Sequence, residues 1–63
     1  MLEMLEFTGE VKVIGQNAVL ICVDGVTGWL PNSEADYIDE PVRGKEIRFE
    51  MPKWLAEKKG FIE

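Results

Sequence analysis

Residues 18–31 read AVLICVDGVTGWLP: an apolar run of strand length, an Asp-Gly pair, and a second run stopped by a proline. A type I′ hairpin turn needs positive φ at both central positions, and Asp24-Gly25 suits it. The two runs therefore predict antiparallel strands over Ala18–Val23 and Val26–Leu30. A two-residue turn there pairs Val23 with Val26, Ile21 with Gly28, Leu20 with Trp29, and Val19 with Leu30.

Working back toward the start, Glu6–Ile14 alternates apolar and polar residues, the pattern of a half-buried strand. A three-residue turn at Gly15-Gln16-Asn17 pairs Ile14 with Ala18, Val13 with Val19, and Val11 with Ile21. Both registers place Phe7, Val11, Val13, Val19, Ile21, Val23, Val26 and Leu30 on one aliphatic face. Two turns chosen separately agree on that face, which argues for a three-stranded meander. The opposite face carries Glu10, Lys12, Leu20, Cys22, Thr27 and Trp29, with Leu20 and Trp29 as cross-strand neighbours. An uncovered sheet face is normally polar, so this one is expected to be covered or to bind.

Working forward, Asn32–Asp39 reads as a connection with a short helical turn, Ser33 capping it and Asp36 in its first turn. Tyr37 and Ile38 are expected to plug one end of the core. Glu46–Met51 alternates again, with Ile47, Phe49 and Met51 inward. Residues 52–59 read as a short helix, with Pro52 at its first position, Lys58 and Lys59 at its negative end, and Gly60 as its stop. A helix of that length does not stand alone and must dock. Trp54 is its expected anchor, with Leu55, Phe61 and Ile62 adding apolar surface. Folded back over Trp29, this surface would cover the outer face within one chain. The reading is one domain, residues 1–63: mainly β, a small OB-like or related four- to five-stranded barrel with a short C-terminal helix.

Sixty-three residues lie near the lower limit for an independent core, but 46% hydrophobic content makes folding without metal or disulfide reasonable. Cys22 stands alone, so no intrachain disulfide forms, and an apolar-flanked single thiol suits a reducing compartment. No run approaches the roughly 20 apolar residues of a membrane span, and the first residues lack the pattern of a signal peptide. A cytoplasmic setting is expected.

The chemistry of catalysis is thin. There is no His, hence no usual general base and no common metal ligand. One Cys cannot make a zinc site, no glycine-rich loop cradles a phosphate, and Ser33 has no base beside it. The chain is read as a non-enzyme without cofactor or metal.

Binding is the remaining class. The net charge is −5, with eight acids against one base before Arg43 and six bases against four acids from there on. An acidic chain repels nucleic acid at long range, so an anionic ligand is expected at the later cations, chiefly Arg43, Lys45 and Arg48. Leu20 and Trp29 on the outer face, Asn32 and Ser33 beside it, and Trp54 on the helix complete the candidate binding or interface set. Apolar Leu20, Cys22, Thr27 and Trp29 on a face otherwise open to water predict a homodimer.

Two resemblances bear on this reading. Thr8-Gly9-Glu10-Val11, the stretch Val23 to Glu34 (VDGVTGWLPNSE) and Gly44-Lys45-Glu46-Ile47 are similar to the OB-type RNA-binding repeats of ribosomal proteins. That likeness implies a small barrel, and single-stranded nucleic acid as an alternative ligand. Ala18, Leu20, Gly25, Trp29, Leu30, Pro31 and Ser33, followed by PKWLAEKKGFI over residues 52–62, resemble a W-L-P-x-S and P-x-W-L-A-E-K-K-G pattern of short proteins encoded by phages and prophages. This second resemblance implies a mobile-element origin and the cytoplasm of a bacterial host. A host protein or a small, nucleotide-like anion is then the expected partner, with counter-defence as a role. It brings no activity with it.

Overall fold

In a computed structural model, which describes residues 3–62, the chain forms five strands and one helix. They are β1 (Met4–Ile14), β2 (Ala18–Val23), β3 (Val26–Pro31), β4 (Asp36–Tyr37), β5 (Glu46–Pro52) and α1 (Lys53–Lys59). All pairings are antiparallel, in the order β3-β2-β1-β5-β4.

The hairpin between β2 and β3 forms as its turn chemistry dictates. Asp24 and Gly25 have φ of 50° and 82°, and every pair from Val23↔Val26 to Val19↔Leu30 is made. The β1–β2 connection differs from the expected one. The Gly15 N–H donates to the Ala18 carbonyl at 2.8 Å, so Gln16-Asn17 is a tighter, two-residue turn. This shifts the pairing by one residue, to Ile14↔Val19 and Val13↔Leu20. A bulge between Val11 and Val13, with Lys12 as the extra residue, shifts it back, so Val11 meets Ile21 as expected. The correction falls on Val13: it leaves the aliphatic face, joins Leu20 on the outer one, and is 43% exposed.

The core is continuous. Val11, Val19, Ile21, Val23, Leu30, Ile47, Phe49 and Met51 line the inner face of the sheet, and Leu55, Ala56 and Phe61 close over it. Phe7 stacks on Phe49 with ring centres 6.0 Å apart and tilts against Phe61 at 6.3 Å. Val26 shares this face but remains exposed near the hairpin tip.

The sheet does not close into a barrel. Closure needs a strand that joins β3 to the far side, and the chain after β5 turns helical instead. Pro52 is the extended N-cap, and Gly60, at φ 82°, ends the helix. The Gly60 N–H donates to the Glu57 carbonyl at 3.2 Å and the Phe61 N–H to the Ala56 carbonyl at 2.9 Å, a Schellman stop. That turn sends Phe61 against Gly28, where an added Cβ would lie 3.2 Å from the ring. Helix and tail thus dock within the chain on the inner face, not over Trp29. Leu55 and Ala56 are the anchors; Trp54, expected in that role, is 46% exposed.

The connection after β3 is also revised. Residues 32–34 form a turn, closed by the Glu34 N–H on the Pro31 carbonyl at 3.0 Å, and no helix follows for Ser33 to cap. Two residues of strand, Asp36 and Tyr37, pair with Glu50 and Phe49. Tyr37 packs against the core as expected, whereas Ile38 is 44% exposed. Among the described residues no helix is long and apolar enough to cross a membrane.

Candidate functional site

The outer face of the β1–β2–β3 meander leaves a row of apolar side chains open to solvent. The registers Val13↔Leu20 and Leu20↔Trp29 set these three residues in a row across three strands. Leu20 is half-buried between its neighbours, and Trp29 is 45% exposed. The Trp29 ring extends toward the β1–β2 turn, where a Cβ on Gly15 would stand 3.3 Å from its Cζ3. Gly15 thus leaves room for the ring. Half-buried Ala18, Cys22 and Pro31 and exposed Thr27 border the row. Lys12 and Glu10 pair at 3.3 Å, so the one cation of the first 42 residues is matched by an acid.

Sequence reasoning found Leu20 and Trp29 but missed Val13 and Gly15. Parity along β1 assigned Val13 to the core, and only the bulge reverses it. The close fit of Gly15 depends on where the Trp29 ring lies, which no local pattern carries.

The polar candidates are placed elsewhere, and each has a local role. Asn32 accepts the Tyr37 hydroxyl at Oδ1, 2.8 Å away, and its N–H donates to the Asn17 carbonyl at 2.9 Å. It ties the turn after β3 to the turn before β2. Burial pushes the Tyr37 phenol above its ordinary range, so it remains the donor. Ser33 is exposed in the turn. Arg43 and Lys45 are exposed on the loop before β5. That loop is fastened to β1 by the Gly44 N–H on the Val11 carbonyl at 2.8 Å and the Val11 N–H on the Lys45 carbonyl at 2.9 Å.

Arg48 already holds an anion, the carboxylate of Asp39. Its Nε donates to Oδ2 and its Nη2 to Oδ1, both at 3.1 Å, and its backbone N–H donates to Oδ2 at 3.0 Å. This two-pronged grip, with the backbone bond added, holds the Asp39 carboxyl below the usual carboxylate range. The sign follows from that direction. The pair contributes stability above the unfolded carboxyl pKa of about 3.9 and loses it as pH falls through the lower folded value. Asp39→Asn is therefore expected to lower the melting temperature at neutral pH. Its gap from the wild type should stay flat down to about pH 5 and close below about pH 4. Thermal melts of both proteins across that range check it; a gap that persists undiminished in acid would mean the charge is not the source.

No cavity opens among the described residues, and no group of three or more His, Cys, Asp or Glu side chains there could hold a metal ion. The candidate site is thus a strip rather than a pocket: apolar, running from Val13 through Leu20 to Trp29 at the sheet edge, and bordered by the Glu10–Lys12 pair. No protein-family model, curated protein or solved structure matches the chain.

Proposed function

We propose that this chain is a non-catalytic binding protein that takes a protein surface on the outer face of its meander, through Val13, Leu20 and Trp29. The observation that carries the proposal is the exposure of the Trp29 ring over an apolar row that the C-terminal helix leaves uncovered. Exposed aromatic side chains set among small and aliphatic neighbours suit the anchor of an interface. The likeness of residues 18–33 and 52–62 to phage-encoded proteins extends the proposal to a mobile element acting on a host protein, with counter-defence as its role. A protein partner is favoured over a small anion because Arg48 is engaged by Asp39. An anionic ligand would be left with Arg43 and Lys45 on the loop.

A second reading has one observation in its favour. An exposed Trp beside the β1–β2 turn could stack a nucleobase, as on OB-type surfaces. The charge opposes it, since Glu6, Glu10 and Glu46 stand exposed on that side of β1 and β5.

The test is affinity capture with the wild type, Trp29→Ser and Leu20→Lys, each checked for a native circular dichroism spectrum. A host protein retained by the wild type and lost by both variants is the expected result. Equal retention by Trp29→Ser would remove the strip from the proposal. Tight, steeply salt-dependent binding of a single-stranded oligonucleotide would favour the second reading.

A further inference from the structure

We infer that β3 is a seam along which a second copy of this chain adds, antiparallel, to make one sheet of ten strands. β3 ends the strand order, so one of its edges has no neighbour among the described residues. The two-residue turn fixes which groups face that edge. Val23 and Val26 exchange both hydrogen bonds across the turn, and so do the alternate pairs Ile21–Gly28 and Val19–Leu30. The N–H and C=O groups of Thr27 and Trp29 therefore point away from β2. No backbone bond from a loop or the helix reaches them among the described residues. Phe61 and the Lys59 stem lie over Gly28 on the inner side, which leaves the strand open in the plane of the sheet and on its outer face.

Natural edge strands are usually protected by an inward charge, a bulge, a proline or very short length. β4, at the other edge, has two residues. β3 has six, and from Val26 to Leu30 it carries no charge, no proline and no bulge. It is also self-complementary in one register. A two-fold axis at Gly28 sets Thr27 opposite the second copy's Trp29, and all four edge N–H groups of the two strands then find carbonyls. Centring on Trp29 would set Thr27 opposite Pro31, which has no N–H to give. Centring on Thr27 would set Trp29 opposite Gly25, whose φ of 82° takes it out of the strand.

Charge does not oppose the register, since β3 carries no charged residue from Val26 to Pro31. The two glycines meeting at the axis let the backbones approach without side-chain conflict. On the outer face the two Trp29 rings become diagonal neighbours, and the rows Val13–Leu20–Trp29 of both copies join into one strip. The seam does not depend on what that strip binds; a monomer could use the strip alone.

An edge of six residues is about 20 Å long, which places the pairing at the small end of specific interfaces and makes it dependent on concentration. Sedimentation velocity between about 5 and about 500 µM tests it. The wild type should move from 7.2 kDa toward twice that mass. Thr27→Pro removes one outward N–H and no bond to β2, a change edge strands tolerate, and should stay monomeric throughout. Amide exchange of the wild type is the second measurement, and it needs no variant to fold. Thr27 and Trp29 should gain protection at high concentration, while Gly28 stays protected at both. A wild type that remains at 7.2 kDa over the whole range overturns the inference. Association of Thr27→Pro equal to the wild type, or Thr27 and Trp29 amides that never gain protection, also overturns it, since the copies would then meet elsewhere. Loss of partner capture by Trp29→Ser with dimerisation intact would separate the strip from the seam.

Discussion

Replacing Gly9 with valine is expected to leave the domain unfolded, because the first atom added has nowhere to go. β1 is shared: its earlier part pairs with β5 and its later part with β2, and the crossover falls at Gly9 and Glu10. A Cβ on Gly9 would stand 2.7 Å from Ile21 Cγ2, 2.9 Å from Val23 Cγ2 and 2.9 Å from the Cys22 carbonyl oxygen. The two side chains are core residues without free space, and the third contact is backbone. Overpacking a core typically costs about 1–3 kcal/mol and more where the backbone must move. A domain of this size has about 5 kcal/mol in total, so valine, with two further carbons, should exceed it. Gly9→Ala is the graded companion, expected to fold with a much lower melting temperature. Circular dichroism and a urea titration of both variants decide the matter. A Gly9→Val protein with a cooperative, near-native melt would mean that β1 and β2 are not this close.

Phe49→Ala should come next in size. Phe49 is fully buried at the centre of β5, stacked on Phe7, with Tyr37 paired beside it on β4. Its removal costs the transfer energy of a large ring and leaves a cavity that Phe7 cannot fill while it also contacts Phe61. The expected loss is about 3–5 kcal/mol. At about 4–8 °C per kcal/mol for a domain this small, the melting temperature would fall by roughly 12 to 40 °C, if a transition survives at all. Phe7→Leu, at a half-buried position, should cost clearly less. If the two variants melted alike, the ring at the centre of the core would not be that of Phe49.

The sequence made some of this legible and hid the rest for identifiable reasons. The β2–β3 hairpin could be read pair by pair, because Asp24-Gly25 admits one turn geometry and the flanking residues have one parity. The β1–β2 turn could not. Its loop is one residue tighter than expected and the strand holds one residue more, so the two changes cancel at Val11↔Ile21. Any pattern that looks right on both sides of such a pair conceals what lies between. β4 was invisible, since two residues show no period. The strand pattern does not distinguish an open sheet from the expected barrel, because closure relates two edges far apart in the chain. The helix is legible in the sequence, but its anchor is not: Leu55 and Ala56 are buried, whereas Trp54, the heavier apolar residue expected in that role, is exposed. Of the candidate site, Leu20 and Trp29 came from register alone. The grip of Arg48 on Asp39 joins residues nine apart across an irregular loop and leaves no local trace.

The bulge at Lys12 has a consequence for how this molecule can vary. Side chains alternate along a strand, so whether Lys12 sits in a bulge or in the regular ladder determines which way Val13 faces. Deleting Lys12 would look, letter by letter, like the loss of one surface lysine. Physically it would remove the bulge and make Val13 the next residue after Val11 in a regular ladder, still opposite Leu20 and still on the outer face. A loop lengthened at Gln16 would act the other way: it would let Lys12 enter the regular ladder and turn Val13 toward the core. The Val13–Leu20–Trp29 row thus tolerates loss of the bulge residue and depends instead on the two-residue turn that holds Val13 opposite Leu20.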